Sequence, residues 1–290
     1  FTRAGDTLHL PYRLLHEAKA GKEPGYSFLL REFAGLLLDT CAPGVSEELS
    51  RPCYYLPAAR SGILQGHKAL AASLIRRAAG AGIQWLEVPA LSGTVADCLS
   101  LLIDLPEQQG PFYQLARGLE SELVQGEVIM SGAGDLPSPE INYRFQGTDI
   151  PLHRASSTVC ELAPLFLLLK HVLAPGHLLI IEEPEAHLHP RNQLILAKLL
   201  VRLVRAGLNL IITTHSDSLL EQIGNFMMVR RVEESRRRER YDYGPEDYLN
   251  CDEVAVYLFA PDQERRGYAA ALLEVTEEDG IPQDEFLKVY

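Results

Sequence analysis

The chain has 290 residues, 47% of them hydrophobic, and a formal net charge of −12 at pH 7. That is the composition of a globular chain with apolar mass for one large domain or two small ones, and its acidity argues against a surface that binds nucleic acid throughout, though not against a local basic face. No run of about 18 apolar residues occurs, which argues against a transmembrane helix, and the cysteines (Cys41, Cys53, Cys98, Cys160, Cys251) form no C-x-x-C pair, which speaks against a disulfide framework or zinc site and fits a reducing cytoplasm.

The opening "FTRAGDTLHL" lacks an initiator Met and any signal pattern, and reads as a strand entered part-way, so a missing N-terminal segment is expected. A helix is expected around "LPYRLLHEAKA" and an amphipathic one over 27–41. "CYYLPAARSG" (53–62) reads as a short strand ending at Pro57. Two helical stretches follow in 64–105, separated by the extended "IQWLEVP", and another over 112–126 closed by Gly126. "EVIMSGAGDLPSPEINYRF" places two strand-like runs around a Gly/Pro-rich turn, a hairpin.

From residue 158 the pattern changes. "TVCELAPLFLLLKHVLAPG" reads as a helix with Thr158 and Glu161 in capping-box spacing. "HLLII" (177–181) is a continuous apolar run, as in a strand covered on both faces. A helix over 189–207 follows, with Pro190 near its start and Gly207 as its C-cap, and then the apolar strand "LNLIITTHS" and the helix "SDSLLEQIGNF". "FMMVRRV" and "VAVYLFA" are further strand candidates. The arginine-rich "RRVEESRRRER" (230–240) is either a solvated helix or loop, or a nucleic-acid or partner contact. Strand–helix–strand alternation with short turns predicts a mostly parallel α/β sheet flanked by helices.

In such sheets ligands sit beyond the carboxyl ends of the strands. The strand at 177–181 delivers Glu182 and Glu183; that at 208–212 delivers Thr213, Thr214 and His215. Adjacent carboxylates are costly to desolvate unless a cation accompanies them, so the pair is either a solvated strand end or a site for a metal ion and a reacting water. Ser156 and Ser157 lie before the first turn of the helix at 158, where free backbone N–H groups attract anions, so they either cap the helix or hold phosphate. The Glu-x-His-x-His of Glu185, His187 and His189 offers metal ligands, or an interface or helix cap. Arg60 either meets phosphate or pairs with a surface acid. A metal-holding carboxylate, a second carboxylate for water, a histidine and a phosphate-binding helix start are the parts of phosphoryl transfer.

"LLIIEEPEAHLHP" followed by "LIITTHS" resembles the Walker B and switch-histidine segments of ABC-type ATPases, most nearly the AAA-type ATPases grouped with OLD and RecF proteins. "RASSTVCELAPL" is similar to the signature motif of that family, and "EDGIPQDEF" to a segment of its tail. The resemblance spans roughly 140–290 and, more loosely, "YYLPAARSG". It implies a P-loop NTPase (ABC-like) fold with a helical insertion and a β-hairpin: residues 1–62 part of the ATPase head, 63–125 a helical arm, and 126–290 the head with signature, Walker B and switch-His segments. It also implies ATP and Mg²⁺ as cofactors. Glu182 takes the place of the Mg²⁺-associated acid, Glu183 that of the base polarising water, and His215 that of the γ-phosphate contact. Ser156, Ser157 and Thr214 take nucleotide-binding places, the serines toward nucleotide held by a second head. Glu185, His187 and His189 fall where a loop at the dimer interface would be.

The expectation is therefore a cytoplasmic ATPase whose head-to-head dimer gates a separate effector, such as a nuclease acting on DNA in repair or antiphage defence, without a membrane. Thr158 stands where the signature usually continues with glycine. No G-x-x-x-x-G-K-[ST] occurs in the 290 residues, since Gly21-Lys22 lacks both the upstream glycine and a following Ser/Thr. A P-loop is expected upstream. Two readings stand beside this one: a non-hydrolysing scaffold that kept the fold, and a metal-dependent phosphohydrolase using Glu182, Glu183, His187 and His189.

Overall fold

A computed structural model describes residues 2–4, 7–9, 51–64, 92–131, 140–262 and 267–282. Contacts divide the chain into Phe1–Pro52 and Cys53–Tyr290. In the first unit, β1 (Thr2–Ala4) and β2 (Thr7–His9) pair antiparallel, with Thr2 opposite His9. The helices expected around "LPYRLLHEAKA" and over 27–41, the first of the two in 64–105, and the extended "IQWLEVP" lie outside the described residues.

The second unit begins with β3 (Cys53–Leu56), which stops before Pro57 because proline has no N–H for a ladder. A helix starts at Arg60. Helix α1 (Gly93–Ile103) is capped by Ser92, whose hydroxyl accepts from the Val95 N–H. Helix α2 (Tyr113–Val124) ends one residue earlier than the sequence implies: Gln125, at φ +57°, is its left-handed cap, and Gly126 follows. The glycine serves a close approach instead. A Cβ at Gly126 would stand 2.4 Å from the Tyr143 ring and 2.6 Å from the Arg144 carbonyl.

The expected hairpin, β4 (Glu127–Ser131) with β5 (Glu140–Phe145), gains a third antiparallel strand, β6 (Thr148–Pro151). Its two-residue turn, Gln146-Gly147, has both φ positive (+48° and +80°), as a tight hairpin of the right twist requires.

Helix α3 (Ser157–His171) is buried from Val159 to Lys170 and forms the spine of the core. Its cap is Ser156, whose hydroxyl accepts from Val159 N–H at 3.4 Å. The Thr158–Glu161 capping box does not form, because the Glu161 carboxylate is drawn to Arg60 and to the Ser61 N–H. Strand β7 (Leu178–Glu182) lies between β3 and β8 (Asn209–Thr213), parallel to both, with Leu56 opposite Ile181 and Glu182 opposite Thr213. Helix α4 (Pro190–Arg205) is the crossover between β7 and β8, and Gly207, at φ +91°, turns the chain after its last turn. Its Leu196, Leu199, Leu200 and Leu203 are buried on one face. Helix α2 packs against α3 and α4, so Leu119 and Leu123 join the same core as Leu168 and Leu200.

Helix α5 (Asp217–Met228) is capped by Ser216. "FMMVRRV" is not a strand. It closes α5 and enters a 3-10 turn, because Phe226 and Met227 continue the buried helical spacing of Leu219 and Leu220. Helix α6 (Glu234–Tyr241) carries the arginine run, with Arg236, Arg238 and Arg240 exposed and Arg237 buried against Tyr248. Strand β9 (Val256–Asp262) pairs antiparallel with β10 (Gly267–Leu273), which alternation alone does not single out. The architecture is mixed α/β with a parallel sheet flanked by helices. Among the described residues no helix is long and apolar enough to cross a membrane.

Candidate functional site

The register places the carboxyl ends of β3, β7 and β8 level, so the turns after them share one edge of the sheet. Glu182 and Glu183 diverge from that edge. The Glu182 carboxylate turns toward β3, where it accepts from the Ala58 N–H at 3.1 Å and from the Tyr55 hydroxyl. Burial, and the negative charge of this partner, push the Tyr55 phenol up to about 12. Glu183 turns toward β8: its N–H donates to the Thr213 carbonyl at 2.8 Å and its Oε1 lies 3.9 Å from His215 Nε2. The His215 side chain is 92% exposed and that of Glu183 43%, so both are open to a ligand from solvent.

Glu183 has φ +42°, a left-handed backbone that a side-chain-bearing residue adopts at a cost. The turn is held by the Ala186 N–H donating to the Glu183 carbonyl and the Leu188 N–H to that of Glu185, both at 3.0 Å. His187, exposed, is also left-handed at φ +60°.

Glu185 is only 8% exposed and lies beneath the end of β8. Its Oε1 accepts the Thr214 hydroxyl and, at 3.3 Å, the His215 N–H, while Ser216 N–H donates to Thr214 Oγ1 at 3.0 Å. Thr214 is therefore an anchor for the histidine turn, and its hydroxyl proton is committed to Glu185. Ser216 in turn reaches Gln193 of α4 at 2.9 Å.

Arg60 does not pair with a surface acid. It is 2% exposed and ion-paired with Glu161, 0% exposed, at 2.8 Å. Burial draws its guanidinium below the ordinary arginine value, against the pull of Glu161 and the other nearby carboxylates.

Ser156 and Ser157 are exposed at the start of α3, where Ser156 acts as a helix cap. Neither hydroxyl is hydrogen-bonded to Glu182, Glu183 or His215. The Glu161–Arg60 pair joins α3 to the acid pair instead. His189 caps α4, accepting from the Arg191 N–H at 3.2 Å. Among the described residues no group of three His, Cys, Asp or Glu side chains is placed to hold a metal ion, so the cluster of Glu182, Glu183, His187 and His189 required by a phosphohydrolase does not assemble.

Glu182 and Glu183 nevertheless suit a divalent cation completed by other ligands. Their side chains have no Lys or Arg partner among the described residues, Arg60 being balanced by Glu161, and Glu185 Oε2 is buried without a hydrogen-bond partner. Mg²⁺ is held by one or two carboxylates, waters and substrate phosphates rather than by a protein cage. Tyr55 escapes sequence reasoning, and so does the buried role of Glu185 beneath the His215 turn; the one available signal is the second acid of "EPE", which stands two residues after Glu183.

Residues 94–221 match the family model described as "AAA domain, putative AbiEii toxin, Type IV TA system". The match runs from α1 into α5 and contains Ser156, Ser157, Glu182, Glu183, Glu185, Thr214 and His215. This part of the chain is similar to an AAA-type ATPase domain. No curated protein matches the chain. Among solved structures, one from work on the structural biochemistry of ATP-driven dimerization and DNA-stimulated activation of SMC ATPases aligns with 61% of this chain and 89% of its own at 12% identity, with a TM-score of 0.37.

Proposed function

We propose that the chain serves in an ATP-hydrolysing head of the ABC/OLD-like kind, and that Glu183 and His215 form its chemical centre. The observation that carries this reading is their meeting at 3.9 Å, exposed, beyond neighbouring parallel strands. The AAA-type match over residues 94–221 supports it.

Glu183 accepts the proton of an attacking water while His215 donates to the γ-phosphate, where charge develops. Glu182 would hold Mg²⁺, which would supply charge neutralisation at the phosphates and relieve the repulsion between the two acids. Glu185 fixes the His215 turn from below. Exposed Ser156 and Ser157, at the free N–H groups of α3, are suited to nucleotide held by a second copy of the head. The reading requires a phosphate-cradling loop, and no G-x-x-x-x-G-K-[ST] motif occurs in the sequence. On this account the head dimerises around ATP and hydrolysis releases the dimer, which gates an effector protein such as a nuclease acting on DNA. A scaffold reading draws on the same lack of a P-loop motif in the sequence; it predicts ATP-dependent dimers without turnover.

The test is steady-state ATP turnover by the full-length protein and its Glu183→Gln variant. Loss of the base lowers the rate about 10²–10⁴-fold. An equal rate in the two proteins removes Glu183 from the mechanism.

A further inference from the structure

The guanidinium of Arg60 makes more contacts than a single ion pair needs. Nε donates to the Glu161 carbonyl at 3.2 Å. Nη1 donates to the Pro57 carbonyl at 3.0 Å and to the Glu182 carbonyl at 2.6 Å. Nη2 donates to the Glu183 carbonyl at 3.0 Å and meets Glu161 Oε1 at 2.8 Å. An arginine has five N–H donors in a fixed plane; four of them are hydrogen-bonded to backbone carbonyls here, and Nη2 also faces the Glu161 carboxylate as an ion pair.

Two of those donors close on the carbonyls of the adjacent acids. One is the carbonyl of Glu183, whose backbone stands at φ +42°. Left-handed backbone at a residue with a side chain persists only where the surroundings over-determine it. The Glu183 N–H is tied to β8 and its carbonyl is shared between Arg60 and the Ala186 N–H, so the residue is gripped from both sides. Glu161, on α3, holds the guanidinium in its plane and, through Oε2, takes the Ser61 N–H at 3.2 Å.

We infer that Arg60, oriented by Glu161, is a positioning residue that holds Glu183 in its left-handed conformation and thereby aims its carboxylate at the reacting water. This rests on the ATPase reading for its chemical consequence, but not for its conformational one. Lysine cannot take the place of Arg60, because it brings three donors on a point charge rather than five in a planar fork.

The experiment uses the full-length protein, with Arg60→Lys and the double variant Arg60→Met with Glu161→Gln. The double variant removes both buried charges together, which avoids leaving either uncompensated, and the glutamine can still accept from Ser61. Two quantities are read. Amide hydrogen exchange over residues 183–188 should quicken about 10-fold in both variants, while exchange within α4 stays at the wild-type rate. The kcat for ATP should fall about 10²-fold with KM unchanged, as for a displaced catalytic group. Unchanged exchange at 183–188, or a kcat within about twofold of wild type in variants that merely melt earlier, overturns the inference. A wild-type protein that does not hydrolyse ATP counts against the ATPase reading alone, and the exchange result still decides the role of Arg60.

Discussion

Glu185 shows how a residue can serve a site from beneath it. The family resemblance implies a place for it with His187 and His189 in an interface loop, yet it is buried and carries the Thr214 hydroxyl and the His215 N–H on one oxygen. Its position after two acids and a proline hides this, because burial of the third acid depends on the left-handed step at Glu183. Glu185→Ala strands those two donors, each an unmade hydrogen bond of about 1–3 kcal/mol. The variant should melt earlier and lose turnover through a displaced His215, with Thr214→Val reproducing part of the loss. A Glu185→Ala protein with wild-type melting and rate would show that the histidine turn stands without it. Gly126 is the opposite case: its residue type suggests a helix cap, whereas the space beside Tyr143 is what demands glycine. Gly126→Ala should therefore destabilise the protein by about 1–3 kcal/mol in denaturant unfolding, although Gln125 keeps its left-handed cap.

At the scale of elements, α2, α3 and β4 are joined by a buried polar group that the sequence pattern does not reveal. Lys170 Nζ, 2% exposed, lies 2.7 Å from Glu120 Oε2 and donates to the Val128 carbonyl at 2.7 Å, while the Val128 N–H reaches Glu120 Oε1 at 3.0 Å. Burial pushes the Glu120 carboxyl up to about 7, outweighing the Lys170 charge that opposes the shift. The folded protein then holds this proton more tightly than the unfolded chain does. The stability that Glu120 contributes is greatest below the ordinary carboxylate range and is lost as pH rises to about 7. Thermal unfolding of wild type and Glu120→Gln should show the wild-type advantage shrinking between about pH 4.5 and about pH 7. A difference that is flat with pH would assign Glu120 an ordinary carboxyl. The same scale explains two misread elements. "FMMVRRV" has β-branched and apolar residues, but Phe226 and Met227 find a core one helical turn beyond Leu219–Ile223, and packing outweighs strand propensity. Strand β6 carries a weaker signal in the sequence, because the turn before it has Gly147 but lacks the Asn-Gly or Asp-Gly pair that marks a tight hairpin.

For the molecule as a whole, the central parallel strands, their crossover helix and the polar groups at their carboxyl ends could be read from sequence, since apolar runs of strand length joined by an amphipathic helix leave few alternatives. What could not be read was the division of labour between neighbouring acids. Nothing in "IIEEPE" says that Glu182 turns toward Tyr55 and Ala58 while Glu183 turns toward His215, because that depends on one backbone angle and on an arginine more than a hundred residues earlier in the chain. On the proposed function the two acids have different tasks, and Mg²⁺-titrated ATP turnover by the full-length wild type, Glu182→Gln and Glu183→Gln separates them. Glu182→Gln should need at least about 10-fold more Mg²⁺ for half-maximal rate, as for loss of a metal-associated carboxylate, and recover part of its turnover at high Mg²⁺. Glu183→Gln should form ATP-dependent dimers at ordinary Mg²⁺ yet stay about 10²–10⁴-fold slow at every Mg²⁺ concentration. Two variants with the same Mg²⁺ dependence and the same residual rate would contradict the assignment.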